Sequence, residues 1–292
     1  NNVTSSGGNI TITAGGAITT GNTLTTTGGS GAITLTTTSG AITLSHTTTA
    51  NVTGAIDINS AAGFTLADGV VMSSNSGVIT VDTTGANALV VNGDITTGGA
   101  GTITLTGSHA ITMDATSLIQ TTLGAIVLNS AAGGVTVDVV ESTNSSTITI
   151  TATGSSISEA DNTARVGASG SSSTLNLTAG TTIGASGTAA LNTDVATLNA
   201  SAAGDIFVSE ATVIDLNSVS TSANGNITIT TTNGAITATS VTAGGAGDIA
   251  LTANGTGQGI TLVSVTASGD DVTLGAVGNI TGTTGGGADV TA

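Results

Sequence analysis

Pairs of apolar residues, spaced apolar–x–apolar, recur at an almost constant interval through the whole chain. Most steps between successive pairs stay close to this interval, but the steps from Ile148 to Leu175 and from Leu198 to Ile227 are longer. A period of about 23 residues is typical of a solenoid, in which each structural unit stacks on the previous one. The pairs begin at Ile10, Ile33, Ile56, Ile79, Ile103, Ile126, Ile148, Leu175, Leu198, Ile227, Ile249 and Val272.

Each pair indicates a short β-strand, because side chains two positions apart lie on one face of a strand. Two weaker apolar positions follow at steps of eight residues, as Ile111 and Ile119 follow Ile103. We therefore predict an all-β fold, a three-sided parallel β-helix of about 12 coils of ~23 residues, right-handed because parallel crossovers nearly always are. Gly precedes eight pairs by two residues, as at Gly54 and Gly124, and we expect it to supply the positive φ of a corner.

A longer repeat is also present. The segments GGSGAITLT, GGAGTITLT and GGAGDIALT begin at Gly28, Gly98 and Gly244. This spacing predicts four ~70-residue blocks of three coils each within one continuous β-solenoid over residues 1–292. The chain contains no Pro, which fits a molecule made almost entirely of strand ladders, since Pro would remove a hydrogen-bond donor.

The charge excludes several classes of partner. The chain has 17 carboxylates against a single Lys or Arg residue, Arg165, for a net charge of −16, so we expect it to bind no nucleic acid. It has no run of 18 apolar residues, and we expect no membrane insertion. The single site for trypsin-like proteases suits an extracellular or cell-surface location. Adjacent Asp270 and Asp271 are interpreted as solvated surface, with a stray cation between them as the alternative.

The sequence predicts no catalytic, cofactor-binding or metal-binding residues. His46 and His109 occupy different places in their repeats and would not stack, so we expect them to be structural or to face solvent. Phe64 and Phe207 each follow an SAAG segment and are predicted to fill the core. The segment GGAGDIAL is similar to the calcium-binding nonapeptide G-G-x-G-x-D-x-U-x, but Asp248 comes one position early, so no calcium site is predicted.

The two long steps predict extra loops on one side of the solenoid. The first, from Ile148 to Leu175, carries Glu159, Asp161 and Arg165. These residues would form a solvated loop with a local ion pair, or a contact patch for a neighbouring subunit. The second long step, which begins at Leu198, would form another loop.

Thr–x–Thr pairs suggest rows of hydroxyl groups on an outer face. The residue between the paired apolar positions is Thr in seven of the twelve pairs, and Thr is favoured on the exposed face of a strand. Such flat rows are similar to those of ice-binding solenoids. The pairs are Thr11/Thr13, Thr34/Thr36, Thr104/Thr106, Thr149/Thr151 and Thr228/Thr230, and the rows break at Asp57/Asn59, Val127/Asn129 and Asn199/Ser201.

The GxITLT units, the scarcity of Lys and Cys, and the abundance of Thr, Gly, Ser and Asn resemble filamentous-haemagglutinin-type adhesins and giant β-strand-repeat surface proteins of bacteria. This resemblance covers the whole chain and implies a right-handed parallel β-helix exported to the cell surface. The secretion motif of two-partner-secreted members contains Asn-Pro, which this Pro-free chain lacks, and no functional residue carries over.

These observations favour a structural role in an extracellular filament, adhesin shaft or surface layer, and no enzymatic activity. Neither end of the sequence carries a polar capping unit, so we expect self-association through the terminal coils, with contacts near residues 1–20 and 278–292. One alternative is a binding module whose Thr-rich face contacts ice, a surface polysaccharide or a host receptor. Another is a polysaccharide-degrading β-helix enzyme.

Overall fold

The computed structural model describes residues 1–144, 146–168, 173–283 and 289–292. The described chain is a β-solenoid of about 12 turns, with three parallel sheets and a single short 3₁₀ turn at Gly187–Ala189. This confirms the prediction of an all-β, three-sided parallel β-helix. Its right-handed winding stays a prediction from the general rule for parallel crossovers.

The three sheets define three sides of the solenoid, and all their strand pairs are parallel. Side 1 contains β1 (Val3–Ser5), β4 (Leu24–Thr26), β7 (Thr48–Ala50), β10 (Val71–Ser74), β13 (Asp94–Thr97), β16 (Leu118–Thr121), β19 (Val139–Ser142), β22 (Arg165–Ala168), β24 (Leu191–Asp194), β26 (Ile206–Glu210), β28 (Ile227–Thr231), β31 (Ile249–Ala253) and β34 (Val272–Ala276). Side 2 contains β2 (Ile10–Ala14), β5 (Ile33–Thr37), β8 (Ile56–Ser60), β11 (Ile79–Thr83), β14 (Ile103–Gly107), β17 (Ile126–Ser130), β20 (Thr147–Ala152), β23 (Thr174–Ala179), β25 (Thr197–Ala202), β27 (Ile214–Thr221), β29 (Ile236–Ala238), β30 (Val241–Ala243), β32 (Ile260–Leu262), β33 (Val265–Ala267), β35 (Ile280–Gly282) and β36 (Val290–Thr291). Side 3 contains β3 (Ile18–Thr20), β6 (Ile42–Leu44), β9 (Phe64–Leu66), β12 (Leu89–Val91), β15 (Ile111–Met113), β18 (Val135–Val137) and β21 (Ile157–Glu159).

The core follows from the alternation of side chains along each strand. In β14, Ile103 and Leu105 point inward and are completely buried, whereas Thr104 and Thr106 are half-buried on the outer face. Successive turns pair in register, so that Ile79 lies directly beside Ile103. The interior is therefore a continuous stack of apolar side chains, and each buried aliphatic side chain contributes roughly 1.5–3 kcal/mol.

Buried hydroxyl groups close several corners. The Oγ of Ser60 donates a 2.7 Å hydrogen bond to the carbonyl oxygen of Gly63, and the Oγ1 of Thr121 donates a 2.7 Å bond to that of Gly124. In each case a Ser or Thr ends one strand and the glycine lies three residues later. A buried carbonyl at the corner is thereby satisfied without water.

Glycine is required at one corner because the backbones of successive turns approach closely. We define the glycine column as Gly31, Gly54, Gly77, Gly101 and Gly124. A Cβ atom at any member would lie 1.7 to 2.5 Å from the carbonyl oxygen of the glycine one turn below. None of these residues has a positive φ, so the predicted reason for the glycine was wrong. Glycine is required in this column because a side chain would collide with the backbone of the adjacent turn, and not because the backbone adopts a positive φ.

The triangular cross-section changes orientation near residue 206. From β2 to β25 the broad side is side 2, with strands of five or six residues, and sides 1 and 3 are narrow. Strand β26 then continues both narrow sides at once. Ile206 pairs with Ile183, which pairs in turn with Ile157 of side 3, and Val208 pairs with Leu191 of side 1. One broad strand thus replaces two narrow ones and the corner between them.

Side 2 changes in the opposite sense. Strand β27 has eight residues and one residue more than β25 over their paired length, with Leu198 beside Leu216 and Asn199 beside Ser218. On the next turn it pairs with two short strands, β29 and β30. The broad side has therefore moved to the opposite side of the rod. We call the turn formed by β26 and β27 the inversion.

The inversion corrects the predicted row of twelve equivalent pairs. The first nine pairs, through Leu198, do stack on side 2, but Ile227 stacks on Ile206 of side 1. The second long step, from Leu198 to Ile227, was predicted to form a loop, and it holds strands β26 and β27 instead. The division into four blocks of three coils stays a prediction. The equivalent segments that begin at Gly98 and Gly244 lead into strands on different sides, β14 on side 2 and β31 on side 1.

Candidate functional site

The first coil exposes an apolar edge. Ile12 is only half-buried, whereas Leu35, its neighbour one turn above, is completely buried. Val3 is 44% exposed. Together with Ile18 and Leu24, these residues line a depression of about 350 Å³ on the end of the solenoid. The backbone edge of β2 that faces away from β5 pairs with no described strand.

The last broad strand exposes a similar edge. Val272 and Leu274 are half-buried in β34, whereas Ile249 and Leu251 are completely buried one turn below. Ile280 is 44% exposed in β35. Both predicted contact regions thus contain apolar residues at an open end of the ladder, although residues 284–288 of the second region lie outside the described part of the chain.

The two ends differ in charge. Residues 1–56 contain no Asp, Glu, Lys or Arg, and all 17 carboxylates lie between Asp57 and Asp289. Near the last broad strand, Asp248, Asp270 and Asp271 offer carboxylate oxygens that all lie within 4.8 Å of one another. The alternative of a cation beside Asp270 and Asp271 is thus compatible with the geometry, but these groups are largely exposed to water, where acidic side chains commonly need no ion.

A ladder of side-chain hydrogen bonds runs along the corner before the later broad strands. The backbone N–H of Asn226 donates to Oδ1 of Asp205 at 2.7 Å, and that of Asp248 donates to Oδ1 of Asn226 at 2.8 Å. The N–H of Asp271 donates to Oδ1 of Asp248 at 3.2 Å. We call this series the Asx ladder. Each accepting residue immediately precedes a broad strand and receives the N–H group of the next turn.

Arg165 does not form the predicted local ion pair with Glu159 or Asp161. Its guanidinium pairs with Glu141 of the preceding turn and lies 3.7 Å from the carboxylate of Asp194 in the following turn. Both Glu159 and Arg165 belong to strands, and Asp161 lies in the corner between them. The guanidinium therefore joins successive turns of side 1 and stabilises their stacking.

Glu210 is a buried carboxyl group that the sequence pattern did not single out. It occupies an inward position of β26 and is completely buried. It accepts hydrogen bonds from the Oγ1 of Thr193 at 2.7 Å, from the N–H of Thr212 at 3.0 Å and from the N–H of Val195 at 3.2 Å. Burial raises the pKa of Glu210. The hydrogen-bond donors partly oppose this increase, and the negative charge of Asp194 adds to it. In the sequence, the alternation of Glu210 with Ile206 and Val208 was the signal that its side chain points inward.

Two further carboxyl groups lie at the last two strands of side 3: Asp138 directly follows β18, and Glu159 is the last residue of β21. Asp138 is 3% exposed, and its Oδ1 atom has no hydrogen-bond partner among the described residues. Burial, together with the charge of Asp161, raises the pKa of Asp138. Burial also raises the pKa of Glu159, whose Oε2 accepts a 3.2 Å bond from Nδ2 of Asn192. Glu159 and Asp161 line a groove of about 380 Å³ beside the residues that follow Ile183.

The Thr pairs do not form one surface. On side 2 the row through Thr11 and Thr34 continues to Asp57, and the later row passes through Val127. Thr228 and Thr230 were predicted to join these rows, but they lie on side 1 beyond the inversion. Side 2 carries instead an amide ladder in which Asn217 donates to Asn199 at 2.8 Å and Asn199 donates to Asn176 at 2.9 Å.

The two Phe residues lie in different strands, and the two His residues lie in different corners. Phe64 is completely buried, as predicted, but Phe207 points outward from β26 and is half-buried, so the prediction that it fills the core was wrong. His46 and His109 are both exposed at different corners, which confirms that they face solvent. The Nδ1 atom of His46 lies 3.1 Å from the carbonyl oxygen of Thr20.

The fold defines the chain as a three-sided parallel β-solenoid, and its first and last described coils carry partly exposed apolar residues. In comparisons with protein-family models, with curated proteins and with solved structures, the chain matches none of them. Within the described ranges, no helix is long and apolar enough to cross a membrane.

Proposed function

We propose that this chain is a structural module of an extracellular filament, adhesin shaft or surface layer, which assembles by end-to-end stacking of its coils. The observation that carries the proposal is the match between β2 and β34. Each presents a row of backbone groups and half-buried apolar side chains that pairs with no further strand of the described chain. Such an edge is a template for a further parallel strand. Because the two edges differ, their contact is heterologous and forms an open fibre.

The charge distribution gives this stacking a direction. The first coils carry no carboxylate, whereas Asp248, Asp270 and Asp271 lie near the last broad strand. Contact between the first coil of one copy and the last coil of another avoids placing carboxylates against carboxylates. Contact between two acidic ends would bring like charges together, which is unfavourable.

The extracellular location and the adhesin role rest on the resemblance in repeat style and on composition. A chain with a net charge of −16 repels most anionic surfaces and stays soluble until specific contacts form. The ladder and the apolar interior continue along the described solenoid from β2 to β35. These features suit a stiff rod that acts as a spacer or bears mechanical load.

Substitutions in β34 test the proposal. Leu274 points inward at the open edge and Thr273 points outward beside it. Leu274→Lys places an ammonium group in the stacking surface, where an unpaired charge is costly to bury, and should prevent filaments. The matched control Thr273→Lys adds the same charge to the outer face and should permit them. Light scattering and negative-stain images distinguish the two, and a wild-type chain that stays monomeric at high concentration contradicts the proposal.

The alternative functions have less support. Ice binding needs extended flat rows of Thr, and these rows are interrupted at Asp57 and Val127 and end at the inversion. Among the described residues, no contact on this face favours receptor or polysaccharide binding. Polysaccharide cleavage would need an aromatic platform beside acidic groups, and neither Phe64 in the core nor Phe207 on the outer face belongs to the residues that line the groove at Glu159.

A further inference from the structure

We propose a specific register for the contact between copies: the second copy places its β2 on β34, broad strand on broad strand, with Ile10 beside Val272. This inference rests on the proposed end-to-end assembly and names the arrangement of that contact. The competing register places β2 on β35, because both strands belong to side 2 and the sheet would simply continue.

The lengths and patterns of the strands favour β34. Both β2 and β34 have five residues and alternate in the same way, with Ile10, Ile12 and Ala14 matching Val272, Leu274 and Ala276 at the inward positions. Strand β35 has only three residues. A copy of β2 on β35 would therefore leave its last two residues beyond the end of the paired strand.

The shape of the cross-section also favours pairing of β2 with β34. Stacking β2 on β35 would place the broad side of one copy over the narrow sides of the other. Within the described chain, this change of orientation occurs only through the inversion, where β26 replaces two narrow strands and β27 contains the extra residue Asn217. Neither end of the described chain provides such a transitional turn. Stacking β2 on β34 aligns the two triangles without one.

The Asx ladder supplies a specific hydrogen bond for this register. Asp271 directly precedes β34, and Asn9 directly precedes β2. Within the chain, the residue at this position receives the N–H group of its counterpart one turn above at Asp205, Asn226 and Asp248. Asn9 itself receives the N–H of Ala32 at 2.9 Å. The carboxylate of Asp271 would thus receive the N–H of Asn9 from the second copy and extend the series across the junction.

Two structural consequences follow. Because the broad sides at the two ends lie on opposite sides of the rod, successive copies would be rotated by about half a turn relative to one another, in addition to any twist of the solenoid. In addition, β1 precedes β2 by one corner, as β33 precedes β34, so β1 would lie on β33, where β36 lies. One of these short strands must leave its place, and we expect it to be β36, which has two residues.

Cysteine crosslinking in this Cys-free chain tests the register. Thr11, Thr273 and Thr281 are exposed at outward positions of β2, β34 and β35. Stacked residues in neighbouring strands are about 4.8 Å apart, which a disulfide can span. The double variant Thr11→Cys/Thr273→Cys should form covalent multimers on oxidation. The matched control Thr11→Cys/Thr281→Cys, which reports the competing register, should not.

The outcomes separate the register from the assembly. Multimers from the control pair, alone or together with the first pair, overturn the register but leave end-to-end stacking in place. Filaments without disulfide multimers from either pair also overturn the register. Monomers by light scattering, with no multimers from either pair, overturn both proposals. In filaments of the wild-type chain, image reconstruction should show the half-turn between copies, and its absence contradicts the register.

Discussion

Gly124→Ala should destabilise the solenoid strongly, because the glycine column has no room for a methyl group. A Cβ atom at Gly124 would lie 1.7 Å from the carbonyl oxygen of Gly101. Real contacts of this kind are longer than 3.0 Å, so the two turns would have to separate substantially at this corner. The obstructing atom belongs to the backbone, and it cannot rotate away as the end of a side chain could.

The expected loss is about 3 kcal/mol, the upper part of the range for inserting a methylene-sized group into a packed interior. Separation of the turns would also weaken neighbouring bonds of the ladder, such as the one from the N–H of Ile103 to the carbonyl oxygen of Ala125. Urea denaturation followed by circular dichroism measures the change in midpoint. If the slope of the transition changes as well, the turns beyond Gly124 have begun to unfold separately, as the nearest-neighbour energetics of repeat proteins allow.

Gly15→Ala is the matched control. A Cβ atom at Gly15 would meet no atom of the described residues within 4 Å, and the φ of Gly15 is not positive. The same substitution there should be neutral or stabilise the fold by about 0.4–1 kcal/mol, since Ala restricts the unfolded chain. Equal midpoints for the two variants would refute the argument that close approach of the backbones, and not corner conformation, selects glycine in this column.

Two further predictions concern the core. Because burial raises the pKa of Glu210 above its ordinary value of 4.5, the folded state binds the proton more tightly than the unfolded state, so the free energy of unfolding should fall as the pH rises from about 4.5 through the raised pKa. Glu210→Gln should lessen this fall in urea titrations at pH 5 and pH 8, and a wild-type chain that is more stable at pH 8 contradicts the reasoning. Ile79→Ala should cost about 2–5 kcal/mol, because Ile79 is completely buried. Val78→Ala, at a side chain 43% exposed, should change the urea midpoint little, and similar losses in both variants would show that the interior is not tightly packed there.

The sequence pattern was sufficient to predict the regular part of the solenoid. An apolar–x–apolar strand with Thr between has one inward face, and each turn repeats it in register, as Ile33, Ile56 and Ile79 do. The pattern could not reveal which side of the triangle each strand occupies. The broad strands β31 and β14 have the same alternation of inward and outward residues, although they lie on different sides.

A signal of the inversion was nevertheless present. Ile206 and Val208 form an apolar–x–apolar pair shortly after Leu198, and the step from Ile206 to Ile227 is close to the usual period. The long step from Leu198 to Ile227 joins two pairs that lie on different sides of the solenoid. For Glu210, the alternation of β26 indicates an inward position, but not the donors that accommodate a buried carboxyl group there. These donors come from Thr193, Val195 and Thr212, which only the fold brings together.

The inversion also bears on where the function lies. The outer surface of the rod is discontinuous: hydroxyl rows of side 2 contain Asp57 and Val127, and the broad side itself moves to the opposite side beyond β25. The ladder, by contrast, continues from β2 to β35 through this change, with β27 joining broad and narrow strands. A partner that recognises a flat repeating lattice would match only part of the molecule. A partner that extends the ladder needs only the two end strands, and both are present with matching length and pattern. The feature that persists along the described chain is therefore the ladder, on which the proposed end-to-end assembly depends.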